Sequence, residues 1–340
     1  MLTEPQITEK FDVRFPQDDD ADLIADLVNR CSIAIVGTPG TTATRLRTNW
    51  SFEGVDREKD FCVIWDGDKP VAYAELWNDD PPYVSAWLNA QVDPHYEGQG
   101  MGTYLTHWGE RRARETFKKA PADAKLIFSC GAYANHASAI ELFENEQFAK
   151  TRTFWTMKIE LDQDIPEPQF PPNITITNYA EHRDLPALAL ATDDAFKDHW
   201  GYVDTTEERR LENWQAWTDP EKNPKHDPTT FWIALDGDEI VAMSLCTPNS
   251  VDNENWGYVS TLGVRRPWRR QGLALNLLYY TFHEMKKRGK ESVYLGVDAQ
   301  SLTGATRLYE KAGMYVFRES SDYEKVIRDG TEYRTLSVEE

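Results

Sequence analysis

The sequence predicts an α/β fold, with an α+β mixed sheet and helices on its faces, that occurs twice in the chain. Three observations support this prediction. The length of 340 residues suits about two ordinary domains, the second half repeats motifs of the first, and each half mixes strand-like with helix-like apolar patterns. Apolar residues at 40% and charged residues at 28% are typical of a globular chain that buries two cores.

Two separate stretches carry the repeat. Aligning Val92 with Val264 brings two glycine-containing loops into register, each between a strand-like and a helix-like segment. Residues 135–148 then match residues 301–314 at a slightly shorter offset. Agreement of two stretches in the same order indicates an internal duplication.

A proline-rich segment separates the repeats. Residues 162–173, DQDIPEPQFPPN, contain four prolines, a composition that disfavours helices and central strands. We therefore expect an N-terminal domain at residues 1–161, an extended linker at 162–173 and a C-terminal domain at 174–340.

The strands are predicted from alternating or continuous apolar runs that end at turn residues. The second half shows them most clearly. In order, they are expected at residues 174–179, in a hairpin over 230–246 that turns at 236–237, at 257–264, at 293–297, and as two strands within 315–327.

The helices are predicted from apolar residues at helical spacing and from glycines that end each run. Leu275, Leu278, Tyr279, Phe282 and Met285 repeat in this way before a glycine. The expected helices of the second half lie at residues 185–196, 205–217, 273–288 and 305–312.

Composition excludes several classes of function. A formal net charge of −20 repels nucleic acid, and no apolar run approaches the roughly 18 residues of a membrane helix. The first residues lack a basic segment followed by an apolar one, so we expect a cytoplasmic protein. Four scattered cysteines, Cys31, Cys62, Cys130 and Cys246, indicate reduced, buried thiols, and we predict no metal site.

The loop RRPWRRQGLA, residues 265–274, stands out against this acidic background. Four arginines fall within six residues and precede a glycine and a long helix. The first turn of a helix offers unpaired N–H groups and a partial positive charge, which bind anions. Small residues at Gly272 and Ala274 allow close approach to the backbone, so we interpret the loop as a phosphate site. A helix start with solvated arginines would show the same spacing.

Two motifs resemble markers of the GNAT (Gcn5-related N-acetyltransferase) family. Arg269, Gly272 and Ala274 match R/Q-x-x-G-x-G/A at the start of a helix. The second marker, a short helix with the pattern A-x-x-L-Y-x-x-x-G-F/M, is carried by Ala305, Leu308, Tyr309, Gly313 and Met314. The resemblance covers nearly the whole chain and implies two tandem GNAT-like acyl-CoA N-acyltransferase domains.

This resemblance implies acetyl-CoA as co-substrate, with direct transfer of the acetyl group to an amine. The pantetheine arm would run beside Leu262 and Val264, and one of their N–H groups would bind the oxyanion. Ser301 stands where the family often has Asn, and it either replaces that side chain near the cofactor or caps the following helix. The pyrophosphate would rest on the backbone of Arg269, Arg270, Gln271, Gly272, Leu273 and Ala274.

The catalytic candidates follow from the chemistry of acetyl transfer. A phenol with a pKa near 10 stays protonated at neutral pH, so Tyr309 can donate a proton to the departing thiolate. It can equally be a half-buried aromatic residue of an amphipathic helix. The sequence leaves the general base open among Asp252, Glu254, Tyr258 and Asp298.

The first half departs from both markers. Glu97 stands where the second half has Arg269, and the loop DPHYEGQ carries a charge of −2 against +4 in the second half. Phe143 replaces the tyrosine. We therefore expect the first half to be non-catalytic.

The acceptor is expected to meet residues 196–217, because the corresponding segment lines the acceptor side in the family. Trp200 and Tyr202 would cover an apolar part or a cation of the acceptor. The alternative is a solvated helix with a Trp-rich inner face. The carboxylates expected to hold an ammonium group are Asp198, Glu207 and Glu208.

These inferences predict an acetyl-CoA-dependent N-acetyltransferase that acts on a small-molecule amine, with its chemistry in the second half. Two alternatives remain open. One is a CoA-binding pseudoenzyme used for sensing or assembly, and the other is an acetyltransferase for protein or peptide amines.

Overall fold

A computed structural model describes residues 3–52, 54–78, 81–219, 226–301 and 304–336. The chain forms two compact units. Unit 1 comprises Met1–Thr153 and Ser320–Tyr333, and unit 2 comprises Phe154–Glu319 and Arg334–Glu340. The linker expected at residues 162–173 does not coincide with the boundaries of these units. Residues 154–161 already belong to unit 2, and Ser320–Tyr333 return to unit 1.

The helices and strands of the chain's first half are α1 (Glu4–Lys10), β1 (Asp12–Arg14), α2 (Ala21–Val36), α3 (Ala43–Trp50), α4 (Arg57–Asp60), β2 (Phe61–Asp66), β3 (Lys69–Trp77), β4 (Ser85–Val92), α5 (Met101–Thr116), β5 (Leu126–Tyr133), α6 (Ala137–Asn145) and β6 (Ala149–Glu160).

The second half contains β7 (Ile174–Asn178), α7 (Leu185–Phe196), α8 (Glu207–Thr218), β8 (Phe231–Asp236), β9 (Glu239–Thr247), β10 (Trp256–Val264), α9 (Leu273–Lys287), β11 (Ser292–Asp298), α10 (Ala305–Lys311) and β12 (Tyr315–Arg328).

The sheet of unit 1 has the strand order β1-β2-β3-β4-β5-β12, and residues 320–328 of β12 supply its last strand. β4 and β5 are parallel, and the other described pairs of this unit are antiparallel. Side chains alternate along β2: Cys62 and Ile64 join the core with α5, while Val63 and Trp65 pack with α2 and α3 on the other face.

The sheet of unit 2 repeats this arrangement in the order β6-β11-β10-β9-β8-β7, with residues 154–160 of β6 at one edge. β10 and β11 form its parallel pair. α9 packs on the face that carries Trp232 and Ala234, and α7 packs on the face that carries Phe231 and Ile233. A mixed sheet with helices on both faces confirms the predicted fold class.

A gap in each sheet positions the candidate sites. Pairing of β10 with β11 ends at Val259↔Leu295, and pairing of β4 with β5 ends at Leu88↔Cys130. Beyond these residues the parallel strands separate. β10 also carries an irregularity in its register with β9 between Val259 and Thr261, which bends a strand locally.

The predicted elements of the second half are confirmed with one exception. Residues 315–327 were expected to form two strands. They form the single strand β12, which has no glycine or proline to break it. Its residues up to Glu319 belong to unit 2 and those from Ser320 onward to unit 1.

All four cysteines are buried and free, as expected. Burial raises the pKa of Cys31, Cys62 and Cys246 to about 12, so these thiols stay protonated. In the part of the chain that the structure describes, no helix has the length and apolarity needed to span a bilayer. Within the same residues, no group of three or more His, Cys, Asp or Glu side chains is placed to hold a metal ion.

Candidate active site

The gap between β10 and β11 opens into a cavity of about 210 Å³ in unit 2. Residues from five elements line it. Phe154 lies on β6, Ser260 and Leu262 come from β10, Asp298 ends β11, Tyr309 lies on α10, and Phe196 ends α7. Four of the predicted catalytic and cofactor-binding residues therefore meet in one cavity, namely Tyr309, Asp298, Leu262 and Ser301.

Tyr309 forms part of the buried wall of this cavity. Its residue surface is 7% exposed, and its side chain joins the core formed with α9 and β11. Burial raises the pKa of Tyr309 to about 12. The phenol is therefore protonated across the physiological range, as a proton donor requires.

Asp298 and Ser301 shape the turn between β11 and α10. The Asp298 carboxylate accepts a hydrogen bond from the Gln300 N–H at 2.8 Å, and its carbonyl accepts one from the Ser301 N–H at 2.9 Å. The Ser301 hydroxyl accepts from the N–H of Ala305, the first residue of α10, at 3.4 Å, whereas the N-cap position of this helix is Gly304. Both residues also line the cavity.

The other candidate bases do not reach the cavity. Glu254 precedes β10, at the end opposite the loop of residues 265–272, and it is exposed. The Tyr258 ring packs against the Tyr294 ring with centroids 4.9 Å apart, and Asp252 forms an ion pair with Arg318 at 2.9 Å. Of the four residues considered, Asp298 alone lines the cavity.

The loop before α9 has a backbone suited to an anion. Arg270 and Gly272 adopt left-handed conformations, with φ of +66° and +80°. Arg270, Gln271 and Gly272 are exposed, and α9 begins at Leu273. Because the first N–H groups of a helix lack intrahelical acceptors, this exposed turn fits a diphosphate.

Most arginine side chains of this loop form ion pairs with carboxylates of the protein itself. Arg266 and Arg269 both form ion pairs with Asp198, whose side chain is 2% exposed. Arg265 pairs with Asp194 at 2.9 Å and with Glu239. Three of the four guanidinium groups are thus held by carboxylates.

Arg269 fastens the loop to its surroundings. Besides the Asp198 pair, its Nε donates to the Val264 carbonyl at 3.0 Å and its Nη2 donates to the Ala195 carbonyl at 3.1 Å. Arg270 is different: it is exposed and has no side-chain hydrogen bond or ion pair among the described residues. It is the guanidinium that remains available to an anion.

The loop of unit 1 has the same backbone shape. Gly98 and Gly100 adopt φ of +74° and +96°, and α5 begins at Met101. The repeat alignment places Gly98 at the position of Arg270. Unit 1 therefore keeps the amide geometry, although its side chains differ.

The first residue of each loop forms the same kind of ion-pair cluster as that of the other loop, but with the charges reversed. Asp93 occupies the position of Arg265 and pairs with Arg30 at 3.2 Å and with Lys69 at 3.0 Å. Lys69 begins β3 as Glu239 begins β9. A cation between two carboxylates in unit 2 is thus replaced by a carboxylate between two cations in unit 1.

Counting these partners reduces the contrast between the loops. The four arginines of unit 2 with the three carboxylates that pair with them give +4 − 3 = +1. Asp93 and Glu97 of unit 1 with Arg30 and Lys69 give −2 + 2 = 0. The predicted difference between +4 and −2 shrinks to that between +1 and 0.

The expected acceptor residues are only partly placed at the cavity. Trp200 lines it, but Asp198 is bound by two arginines, which hold its pKa at about 2. Asp198 is therefore not available to hold an ammonium group, and that prediction is wrong. The Tyr202 hydroxyl donates to Asp193 at 2.7 Å. The remaining pair, Glu207 and Glu208, is exposed in the first turn of α8 and does not line the cavity.

His199 is a cavity residue that the sequence did not identify. It follows α7 and lines the cavity, with its ring centroid 4.3 Å from that of Phe196. Desolvation in the cavity wall lowers the pKa of His199 from 6.5, so the imidazole is neutral at pH 7. The sequence contains no signal for His199, because no histidine or carboxylate lies at a catalytic or metal-binding spacing from it. Several of its neighbours in the cavity come from the distant strands β10 and β11.

Comparison with known proteins tests the family resemblance. Residues 23–146 and 189–314 match the model of the acetyltransferase (GNAT) family. The chain belongs to the GNAT acetyltransferase family. Two matches in one chain confirm the tandem arrangement, and the protein is a GNAT-type acetyl-CoA-dependent N-acetyltransferase.

Several relatives share the double layout. The chain is 25% identical to a mycothiol acetyltransferase of Saccharopolyspora erythraea, over 65% of this chain and 70% of that protein. It is 26% identical to that of Streptomyces scabiei, over 76% and 77%. The chain is therefore similar in layout to mycothiol synthase-like double-GNAT proteins.

Solved structures agree with this assignment. A GCN5-related N-acetyltransferase from Sphaerobacter thermophilus superposes with a TM-score of 0.77 at 32% identity, covering 95% of this chain and 98% of that one. A tandem GNAT protein from the clavulanic acid biosynthesis pathway gives a TM-score of 0.66 at 11% identity, covering 94% and 100%. The second likeness is one of fold.

Proposed function

We propose that this GNAT acetyltransferase moves an acetyl group from acetyl-CoA directly to the amine of a small molecule, in the cavity of unit 2. The observation that carries the proposal is the buried, protonated Tyr309 at the gap between β10 and β11. The relatives named mycothiol acetyltransferase support a small-molecule acceptor.

Acetyl-CoA supplies an acetyl group activated as a thioester. The exposed backbone of residues 269–274 would hold its diphosphate, with the Arg270 guanidinium as the available counter-charge. Beyond Val259, no strand among the described residues pairs with the edge of β10 that faces β11. This edge, beside Leu262 and Val264, would receive the pantetheine arm and offer an N–H group to the oxyanion.

The remaining cavity residues suit the two proton transfers. Tyr309 would protonate the departing thiolate, since its raised pKa keeps the phenol protonated. Deprotonation of the ammonium needs a base that is unprotonated near pH 7. His199, whose pKa is lowered, and Asp298 would fill this role directly or through a water molecule.

Thiol release from acetyl-CoA with a panel of amines tests the chemistry. Tyr309→Phe should lower kcat by about 10²–10⁴-fold, the usual contribution of a positioned acid. Tyr315→Phe is the control, because Tyr315 is an exposed tyrosine on β12. Equal turnover by Tyr309→Phe and the wild type would contradict the assigned role. Faster turnover of peptide amines than of metabolites would favour the protein-acetylation alternative.

A matched pair of substitutions identifies the active half. Gly272 and Gly100 both have left-handed backbones and both precede the long helix of their unit. Gly272→Ala and Gly100→Ala thus introduce similar strain. We expect the first to abolish most turnover and the second to leave it nearly unchanged. The reverse pattern would place the chemistry in unit 1, and binding of CoA without any turnover would favour the pseudoenzyme alternative.

A further inference from the structure

Unit 1 contains a cavity of its own, with a volume of about 280 Å³. It lies where β4 and β5 separate and is bounded by α2, α3 and β3. About half of its wall is polar. The side chains that matter below are Glu75, Tyr73, Asn49, Asn89, Gln91 and Arg45.

Glu75 is a buried carboxylate in the wall of this cavity. It is 5% exposed and lies on β3. Its Oε1 accepts hydrogen bonds from the Tyr73 hydroxyl at 2.8 Å and from Asn49 Nδ2 at 3.4 Å, and its Oε2 accepts one from Trp77 Nε1 at 3.3 Å. Trp50 Nε1 in turn donates to the Tyr73 oxygen at 2.8 Å. The carboxylate is therefore held in place by neutral donors.

No cation compensates this carboxylate directly. Among the described residues, no lysine, arginine or histidine forms an ion pair with Glu75, and burial raises its pKa. Arg45 also lines the cavity and its positive charge partly offsets the raised pKa of Glu75 from a distance, but it is exposed and makes no hydrogen bond or ion pair with Glu75. Buried charges in proteins are usually paired, so an oriented, unpaired carboxylate at a cavity wall marks the place of a ligand's positive charge.

This arrangement is peculiar to unit 1. When Val92 is matched with Val264, the registers of β3 with β4 and of β9 with β10 make Leu245 the equivalent of Glu75 and Met243 the equivalent of Tyr73. Both residues of unit 2 are fully buried in an apolar core. The duplication alone does not account for a carboxylate here. The packing of this kind of sheet therefore does not require the polar side chains of Glu75 and Tyr73.

We propose that unit 1 binds a small hydrophilic amine through an ammonium group placed against Glu75. Its other polar groups would meet the amide side chains of the cavity, Asn89 and Gln91. Asn89 lies directly opposite Glu75 in the β3/β4 register, so both side chains point to the same face of the sheet. This amine site is separate from the acetyl-transfer cavity of unit 2 and does not depend on the function proposed for it.

Binding to the full chain without acetyl-CoA tests the site. Saturation-transfer NMR titrations compare three amines with counterparts in which a hydroxyl replaces each amine: serinol with glycerol, glucosamine with glucose, and putrescine with butane-1,4-diol. We expect at least one amine to bind saturably and at least about 10-fold more tightly than its hydroxyl counterpart, because a charge-assisted hydrogen bond is lost in the counterpart. Equal or absent binding throughout the panel would overturn the proposal.

Three variants locate the binding. Glu75→Gln should weaken it at least about 10-fold, because it removes the charge and keeps the shape. Asn89→Trp blocks the unit 1 cavity from an exposed position, so it decides the question even if Glu75→Gln fails to fold. Gly296→Trp is the matched control: Gly296 lines the unit 2 cavity, with no atom within 4 Å of a Cβ built there. Binding that survives Asn89→Trp but is lost in Gly296→Trp would place the amine in unit 2 and refute the site.

Discussion

Arg270 occupies a backbone conformation that suits glycine better than arginine. Its φ of +66° matches that of Gly98, the residue at the same position of the repeat. A left-handed non-glycine residue costs about 1–2 kcal/mol, and such strain persists mainly at functional sites. Arg270 is also the loop arginine without a carboxylate partner in the described part of the chain. Conformation and charge together support our proposal that its side chain binds an anion.

Arg270→Gly tests the backbone strain and the charge of Arg270 separately. Glycine relieves the strain but makes the unfolded chain more flexible, so we expect the free energy of unfolding to change by less than about 1 kcal/mol. Affinity for CoA should fall about 5–10-fold, since one charge-assisted contact to phosphate is worth about 1 kcal/mol or more. Denaturant unfolding and calorimetry measure the two quantities, with Arg270→Lys as the charge-preserving control. An unchanged Kd for CoA would show that this guanidinium does not reach the diphosphate.

Asp198 gives the loop a defined pH dependence. Arg266 and Arg269 lower the pKa of Asp198 to about 2. The ionised Asp198 therefore stabilises the folded protein above pH 4, and this stabilisation is lost as the pH falls from about 4 to about 2. Asp198→Asn should cost about 2 kcal/mol at pH 7 and flatten the stability profile in that window. Urea unfolding between pH 2 and pH 7 measures this, and Asp204→Asn, an exposed neighbour, is the control. Parallel pH profiles for Asp198→Asn and the wild type would rule out this linkage.

The sequence singled out Tyr309 through a local family motif, and it named Asp298 as one of four possible bases because Asp298 ends a predicted strand. It did not reveal the pairing of Asp198 with Arg266 and Arg269, since the carboxylate comes from the end of α7 and the arginines from a loop about 70 residues later. A count of loop charges therefore overstated the difference between the two units. His199 was missed for the same reason.

At the scale of elements, the end of β10 and the end of α7 pack very closely. A Cβ added to Gly263 would lie 2.8 Å from Met243 Sδ, 2.9 Å from Ala195 Cβ and 3.1 Å from Phe196 Cε2. This contact sets Phe196 in the cavity wall. The position of α7 thus determines the shape of the candidate site.

Two glycines of the cavity region test this packing. Gly263→Ala should destabilise the fold by about 1–3 kcal/mol and raise the KM for the acceptor, because α7 must move. Gly296→Ala should change stability by less than about 0.5 kcal/mol, since its Cβ would meet nothing within 4 Å. Thermal unfolding and steady-state kinetics compare the two variants. Similar effects from both would mean that the close contact does not fix α7.

Most elements followed from the sequence because apolar periodicity is a local property. α7, α8, α9 and the hairpin of β8 and β9 lie where that pattern predicts them. β12 did not, since nothing local distinguishes a polar turn from a strand whose two halves serve different sheets. Its course depends on partners elsewhere in the chain.

At the scale of the whole molecule, each unit contains a strand that lies in the other half of the sequence. Unit 1 contains residues 320–333, and Tyr323 of this segment is buried against Phe143, with ring centroids 5.2 Å apart. Unit 2 contains residues 154–160, which pair with β11. Neither compact unit is a continuous piece of chain.

Two tyrosines of β12 test this division. Tyr323 is 4% exposed in unit 1, whereas Tyr315 is 46% exposed in unit 2. Tyr323→Ala should cost about 3 kcal/mol and speed hydrogen exchange in β2–β5, with less effect on β8–β10. Tyr315→Ala should cost less than about 1 kcal/mol. Faster exchange confined to β8–β10 in Tyr323→Ala would contradict the assignment of this segment to unit 1.

The placement of residues 320–333 in the first unit also bears on biosynthesis. Domains commonly fold as they emerge from the ribosome, the earliest first. Here the earliest part of the nascent polypeptide lacks its last strand until residues 320–328 have been translated. The first unit therefore completes its sheet only after β6 to β11 of the second unit have been made.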